Sequence, residues 1–466
     1  MSRHYILCDQ YVLRGWQHAG RMLIRRPDNK HRVLKELEFQ TLLLCDGKTD
    51  FEDSFVTDEM RGLAERIEKK GIIRVCEKGE ELSEDQKYRF YDNRFVEEVV
   101  LSVTGFCNYR CRHCFMDAPN GTLGQMSHEM AMRIADEIAE CGILKVSLTG
   151  GEPLIRPDFW KIIDRLAAHK IDISVLYTNG ALLTDELLDE FRKRSLKPQI
   201  SISFDGIGWH DWMRGVKGAE EETIAAIKRV VRRDYIVNVS VCVHRGNLPV
   251  LAETAEKLTG LGVKKIVFEQ ISDTELWRRN AEGMELSEQE FCDGLMPMID
   301  WFYKKGMPVD LSLGSLAAFR HGSGKCSVFA EPFSEDTDCR MCYLCDDARF
   351  AAYIAPDGQL LPCMPLTSVP AERLKDFPKL SEISLKEALS SSYYMEFISR
   401  RIFQLFLENG ECGSCEYRMR CGGGCRAEAM IRGGSLMGPD PRRCFLWKNG
   451  YPERIRERVR LVTDRI

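Results

Sequence analysis

The sequence predicts an α/β protein. A partial (β/α)6 TIM barrel lies between a small N-terminal winged helix-turn-helix-like domain and a loop-rich, cysteine-dense C-terminal domain. Three observations predict this. Strand-like and helix-like runs alternate six times through residues 96–306, which implies parallel strands joined by right-handed crossovers. Short strands followed by helical patterns occupy residues 1–80. From about residue 320 the alternation stops, and Gly, Pro and Cys become frequent.

The first region opens with strand-like "YILCDQYVLRGW" and "GRMLIRR". The helical pattern "RVLKELEFQTLLLCDGK" stops at Gly47, and "TDEMRGLAERIEKKG" stops at Gly71 ahead of a short strand, "IIRVCE". Small strands on three helices with a terminal wing are expected over 1–80, then a polar linker, "KGEELSEDQKYRFYDN", assigned to 81–95. The barrel is expected over 96–320. Its strands are "VEEVVLSVTGF", "LKVSLTGG", "DISVLYTNG", "QISISFDG", "YIVNVSVCVH" and "KKIVFEQI". Helical patterns such as "HEMAMRIADEIAECG" separate them. Barrel chemistry sits at the C-terminal ends of the strands. A cysteine cluster follows the first strand, "TGGE" ends the second, "YTNG" the third and "SFDG" the fourth, so motifs and expected site coincide. The cysteine-dense domain is assigned to 321–450 and a C-terminal helix to 451–466.

Composition narrows the function classes. The 466 residues are 44% hydrophobic and 29% charged, as in an ordinary globular protein. A net charge of -5 argues against a nucleic-acid partner. "MSRHYILCDQY" lacks a signal-peptide core, and no apolar run is long enough for a membrane helix, so a cytoplasmic protein with no membrane partner is expected. Nineteen cysteines are present, twelve of them clustered. An odd total without an export signal favours metal binding over disulfides. The scattered Cys8, Cys45, Cys76, Cys141, Cys242, Cys292 and Cys326 are expected to be small core residues, with Cys326 the one nearest a cluster.

"TGFCNYRCRHCFMDA" spaces Cys107, Cys111 and Cys114 as C-x3-C-x2-C, with no fourth cysteine nearby. A four-iron cluster held by three thiolates has one iron without a protein ligand, open to a small chelating molecule. After a first barrel strand, this motif resembles the signature of the radical S-adenosylmethionine (SAM) superfamily. The resemblance implies that SAM binds the open iron and is cleaved to a 5′-deoxyadenosyl radical, with Phe115 near the adenine. "TGGEP", with Gly150, Gly151 and Glu152, resembles the segment that receives the SAM amino group. "SISFDG" resembles the family's fourth strand, where Ser203 would bond the ribose, and Arg214 in "HDWMRG" could pair the SAM carboxylate.

The C-terminal pattern is Cys345-x12-Gly358-x4-Cys363, then Cys412-x2-Cys415-x5-Cys421-x3-Cys425, then Cys444. It resembles the seven-cysteine pattern of SPASM domains, which carry auxiliary iron–sulfur clusters. The resemblance implies one 4Fe-4S cluster on Cys339, Cys345, Cys363 and Cys425 and another on Cys412, Cys415, Cys421 and Cys444. Cys342 could replace Cys339. With the SAM site this makes three 4Fe-4S clusters, the auxiliary pair serving as electron conduits or acceptors. A pair of structural zinc sites is the plainer alternative.

The order of elements in 1–80 and the run "LLLCDGKTDFED…LAERIEKKGII" resemble the leader-peptide recognition domain akin to the peptide chaperone of pyrroloquinoline quinone synthesis. The three regions together resemble maturases of ribosomally made precursor peptides, with leader and core as partner and a flavodoxin or ferredoxin as electron donor. Oxidative cross-linking is the expected reaction, thioether first and C–C or C–O linkage next. Epimerisation and sulfatase-maturase-like formylglycine formation are alternatives. The latter is disfavoured because Met364 follows Cys363 where those enzymes carry an aspartate. A non-catalytic iron–sulfur carrier or redox sensor would have no use for the SAM motif.

Overall fold

The computed structural model describes residues 2–464 apart from 18, 27 and 335. The N-terminal region contains β1 (His4–Leu7), β2 (Tyr11–Gln17), β3 (Gly20–Arg25), β4 (Lys30–Val33), β5 (Ile73–Cys76) and β6 (Arg89–Arg94). Its helices are Glu36–Leu43 and Asp58–Lys69. Two helices stand where three were expected among the described residues. The second starts because the Thr57 hydroxyl accepts from Met60 N, and it turns Ala64 and Ile67 onto a core with Tyr5, Phe39 and Phe51. β1 pairs β5, while a second sheet runs β4-β3-β2-β6.

The expected linker is half strand. β6 pairs in parallel with β2, and Tyr91 stacks on Trp16 with ring centres 5.2 Å apart. Phe95 meets the same indole edge-on at 4.7 Å. Aromatic burial thus outweighs the polar composition of the run.

All six expected barrel strands form: β7 (Glu98–Ser102), β8 (Lys145–Thr149), β9 (Asp172–Thr178), β10 (Gln199–Ser203), β11 (Val237–Val243) and β12 (Lys265–Gln270). They pair in parallel in that order. The sheet then extends at both edges. β13 (Asp310–Leu313) adds in parallel to β12, followed by antiparallel β14 (Ala317–Phe319) and β15 (Cys326–Val328). At the other edge β16 (Ala351–Ile354), from the cysteine-dense segment, adds in parallel to β7 and pairs β17 (Leu360–Leu361). Eleven strands result, open between β15 and β17. The C-terminal domain is therefore anchored through the barrel's own sheet.

β11 shows how the wall is built. Val237, Val239, Val241 and Val243 are buried, while Asn238, Ser240 and Cys242 alternate with them. The C-terminal helix is Tyr451–Thr463. It is clamped to the helix Glu288–Lys304, with the Tyr451 hydroxyl donating to Asp293 at 2.9 Å and Arg458 Nε to Asp300 at 2.7 Å. The N-terminal domain touches the opposite end of the barrel from the strand C-termini. Trp16 Nε1 donates to Cys141 O at 3.0 Å and Asn29 Nδ2 to Leu144 O at 3.2 Å, just ahead of β8.

Candidate active site

A cavity of about 230 Å³ opens at the C-terminal ends of β7–β12. The loop after β7 gives it Cys107, Cys111, Cys114 and Phe115, and the turn after β8 gives Gly150 and Gly151. Ser203 ends β10, and Arg214 comes from the short helix that follows. Seven separated positions singled out in the sequence thus converge with Arg214 on one space.

Each of the three sulfurs already receives an N–H. Tyr109 N lies 3.4 Å from Cys107 Sγ, Ala118 N 3.2 Å from Cys114 Sγ, and Arg214 Nη1 3.6 Å from Cys111 Sγ. Such donors favour thiolate and sulfide charge. Without a cation, burial keeps the thiols protonated, pushing Cys107 up to about 12 and Cys114 up to about 11. A cluster binding here would displace those protons. Spacing separates the metal options. A single tetrahedral zinc with Zn–S near 2.3 Å needs sulfurs roughly 3.8 Å apart. Among the described residues, the group of three ligand atoms within 4.8 Å of one another is His113, Asp205 and Cys242, not any three cysteines. Three thiols are the donor type that an iron–sulfur cluster takes.

Two of the expected SAM contacts already have protein partners. Glu152 is fully buried and does not line the cavity. Its carboxylate accepts from Leu154 N (3.1 Å), Thr178 Oγ1 (2.9 Å) and Asn179 N (2.8 Å), so it ties the turn after β8 to the end of β9. Burial raises it from 4.5 to about 7 against those donors. The glycines before it serve packing as well as access. Gly150 has φ +154°, and a Cβ there would stand 2.5 Å from Thr104 O, while one on Gly151 would collide with Phe106 O. Both seat the turn on the cysteine loop.

Arg214 is already committed on one side. Its Nε and Nη2 donate to Asp205 at 2.6 and 3.0 Å, with Asp205 wholly buried. Burial opposes both charges, yet the pairing outweighs it, holding Asp205 well below and Arg214 well above their ordinary ranges. Only Nη1 remains, aimed at Cys111. A carboxylate in the cavity would share that arm.

The C-terminal cysteines fall into groups. Cys345, Cys363 and Cys425 line a second cavity with Cys421, and burial together with their mutual charge raises Cys345 to about 11. Burial, with the charge of neighbouring Cys444, raises Cys412 and Cys421 to about 11, and burial is also the main cause that raises Cys444. Cys339 sits apart from the second cavity. It is fully buried with Leu344, Ile402 and Leu405, beside Cys342, and neither lines the second cavity. All nineteen cysteines are free. Met364, next to Cys363, reaches into the first cavity, so one auxiliary thiol stands a single residue from it.

With this geometry in place, the comparisons decide the family of the barrel. Residues 101–258 match the model described as "Radical SAM superfamily". The barrel is a radical SAM domain. Over residues 101–258 the chain thus carries an enzyme domain of the radical SAM kind, and the chemistry of such a domain takes SAM and a 4Fe-4S cluster. It is similar to the AdoMet-dependent heme synthase of Methanosarcina barkeri, 27% identical over 356 residues, 74% of this chain and 95% of that one. It is also similar to the antilisterial bacteriocin subtilosin biosynthesis protein AlbA of Bacillus subtilis, 28% identical over 247 residues, 52% of this chain and 54% of that one. The fold matches Streptococcus suis SuiB bound to the precursor peptide SuiA at TM-score 0.65 and 16% identity, covering 94% of this chain and 99% of that chain.

The radical SAM cavity also contains residues that the motifs did not mark: Tyr177, Ser240, Cys242 and Glu269. Cys242 was expected in the core but is turned into the barrel. Glu269 accepts from the Ser240 hydroxyl at 3.0 Å, and burial raises it. The signal that could have found them is alternation: each breaks an apolar strand on the inward-facing phase. Among the described residues no helix is long and apolar enough to cross a membrane.

Proposed function

We propose that this radical SAM enzyme modifies a ribosomally made precursor peptide by oxidative cross-linking, a thioether first and C–C or C–O linkage next. The observation that carries the reading is the adjacency of Cys363 and Met364: an auxiliary cluster on this segment would stand beside the SAM cavity. SAM, when bound at a reduced cluster, supplies hydrogen-atom abstraction from an unactivated carbon. Joining that carbon to a thiol then leaves one electron and one proton to remove. Cys345, Cys363 and Cys425 would hold the cluster that accepts the electron, with Cys339 or Cys342 as fourth ligand once the 339–345 segment adjusts. Cys412, Cys415, Cys421 and Cys444 would hold the outer cluster, from which a flavodoxin or ferredoxin exchanges electrons. Glu269, open to the cavity, is positioned to take the proton. Phe115 would flank the adenine and Ser203 the ribose, while Arg214 shares Nη1 between Cys111 and the SAM carboxylate. The region 1–80 would hold the leader.

SuiB's structure with its precursor peptide and AlbA's role in bacteriocin biosynthesis support the peptide reading. Epimerisation is the second reading, and Cys242 favours it, because a buried thiol in the cavity is a hydrogen donor. Met364 in place of a carboxylate weighs against formylglycine formation. The test is anaerobic reconstitution with dithionite, SAM and the precursor peptide of a neighbouring reading frame. Formation of 5′-deoxyadenosine with a peptide mass loss of two hydrogens supports cross-linking. Unchanged mass in H2O with uptake of one deuterium in D2O supports epimerisation, and no 5′-deoxyadenosine defeats both.

A further inference from the structure

A groove of about 760 Å³ lies between the N-terminal domain and the C-terminal domain, at the end of the barrel away from the SAM cavity. One wall is the N-terminal sheet with Met22 and Val33, and the other comes from residues 343–350 and 390–401. Its centre is Tyr343. The guanidinium carbons of Arg349 and Arg401 each sit 3.4 Å from the ring centre, and that of Arg94 sits 5.6 Å away. Three cations on one ring is more than cation–π attraction requires.

The counter-charge is short. Asp346, behind the lining, takes Arg349 Nη1 at 2.9 Å, and Glu396, which lines the groove, is held by Arg400 at 3.2 Å. Arg94 has the Ser399 hydroxyl at 3.3 Å and Arg401 the Met341 carbonyl at 2.8 Å, both neutral. Arg349 Nε is buried without a hydrogen-bond partner. Burial, with repulsion from Arg349, depresses Arg94. A half-buried set of arginines with an unused donor is stabilised by an anion that accepts from several of them at once.

We propose that this groove binds an acidic stretch of the peptide substrate, aspartate or glutamate side chains entering between Arg94, Arg349 and Arg401. The proposal rests on the peptide reading above and names what the peptide must carry. Exposed Val33 (61%) and Phe350 (44%) give apolar contact on either side, so acidic residues flanked by apolar ones fit the groove best. The wall also reaches the barrel, because the Phe350 carbonyl accepts from Glu97 N and Glu98 N at the start of β7.

The experiment is fluorescence anisotropy on the full chain without SAM. The probes are fluorescein-labelled peptides carrying a run of glutamates between leucines, the glutamine counterpart, and a lysine counterpart. The glutamate peptide should bind about tenfold tighter than the glutamine one or better, and lose affinity as salt rises. Combined Arg94→Gln, Arg349→Gln and Arg401→Gln should abolish the preference, whereas Arg320→Gln, on the exposed surface, should leave it. The three changes to Glu should transfer the preference to the lysine peptide. Equal binding of acidic and neutral peptides, salt-insensitive wild-type binding, or an acid preference that survives the triple change would overturn the proposal. Because no SAM chemistry is read, failure here is distinct from failure to form 5′-deoxyadenosine, which would defeat the peptide reading itself.

Discussion

Replacing Asp205 by Asn tests the pair on which the SAM cavity is built. Asp205 is wholly buried and meets only protein: Arg214 at 2.6 and 3.0 Å, Cys242 N at 3.2 Å and His210 Nδ1 at 3.2 Å. An amide there leaves the buried guanidinium without its counter-charge, a loss that costs about 3–5 kcal/mol when one partner of a buried pair is removed. Arg214→Met strands the carboxylate at similar cost. The double variant buries no uncompensated charge, so its penalty should fall short of the sum by more than ~1.5 kcal/mol. Urea unfolding of the metal-free chain, followed by intrinsic fluorescence, measures this. Trp209 and Trp212 flank His244 at 5.2 and 5.1 Å, close to the pair, and report on that region. Penalties that simply add within about 0.5 kcal/mol would refute the argument that the two charges hold each other.

Other outcomes follow from the same geometry. Glu152 has its folded value raised from 4.5 to about 7, so between those pH values the folded chain keeps a proton that the unfolded chain has lost, and stability falls as pH rises through the window. Relative to Glu152→Gln, the wild type should lose roughly 3 kcal/mol between pH 4.5 and 8 in denaturant titrations, and parallel pH profiles would count against it. Glu269→Gln should slow peptide oxidation on the order of 100-fold while 5′-deoxyadenosine still forms, as separate mass-spectrometric assays would read. Deleting residues between an acidic stretch and the modified site should abolish modification once fewer than about seven remain, because β9 alone, Asp172–Thr178, spans roughly 23 Å between the two ends of the barrel.

Much of the site was legible before folding was considered. Cys107, Cys111, Cys114 and Phe115 lie in one loop, and strand C-termini are where barrels keep their chemistry, so local spacing plus topology sufficed. For Glu152, "TGGE" shows a carboxylate beside two glycines but not which way it turns; Thr178 and Asn179 claim it from the next strand. Cys339 has the spacing of a ligand, yet Leu344, Ile402 and Leu405 surround it. The linker became β6 through Trp16, more than seventy residues upstream of Tyr91 and Phe95.

By itself, then, the amino-acid order determined the six-strand alternation and the loop that carries the first three thiols, both of which depend on periodicity or on short separations along the chain. Only the tertiary structure decided that Asp205 takes two arms of Arg214, that Cys242 and Glu269 face inward, that Met364 brings the C-terminal segment to the cavity, and that three arginines crowd one tyrosine. Those contacts join residues tens to hundreds of positions apart, and their geometry is set by how the sheet closes around its interior. No local pattern encodes that closure.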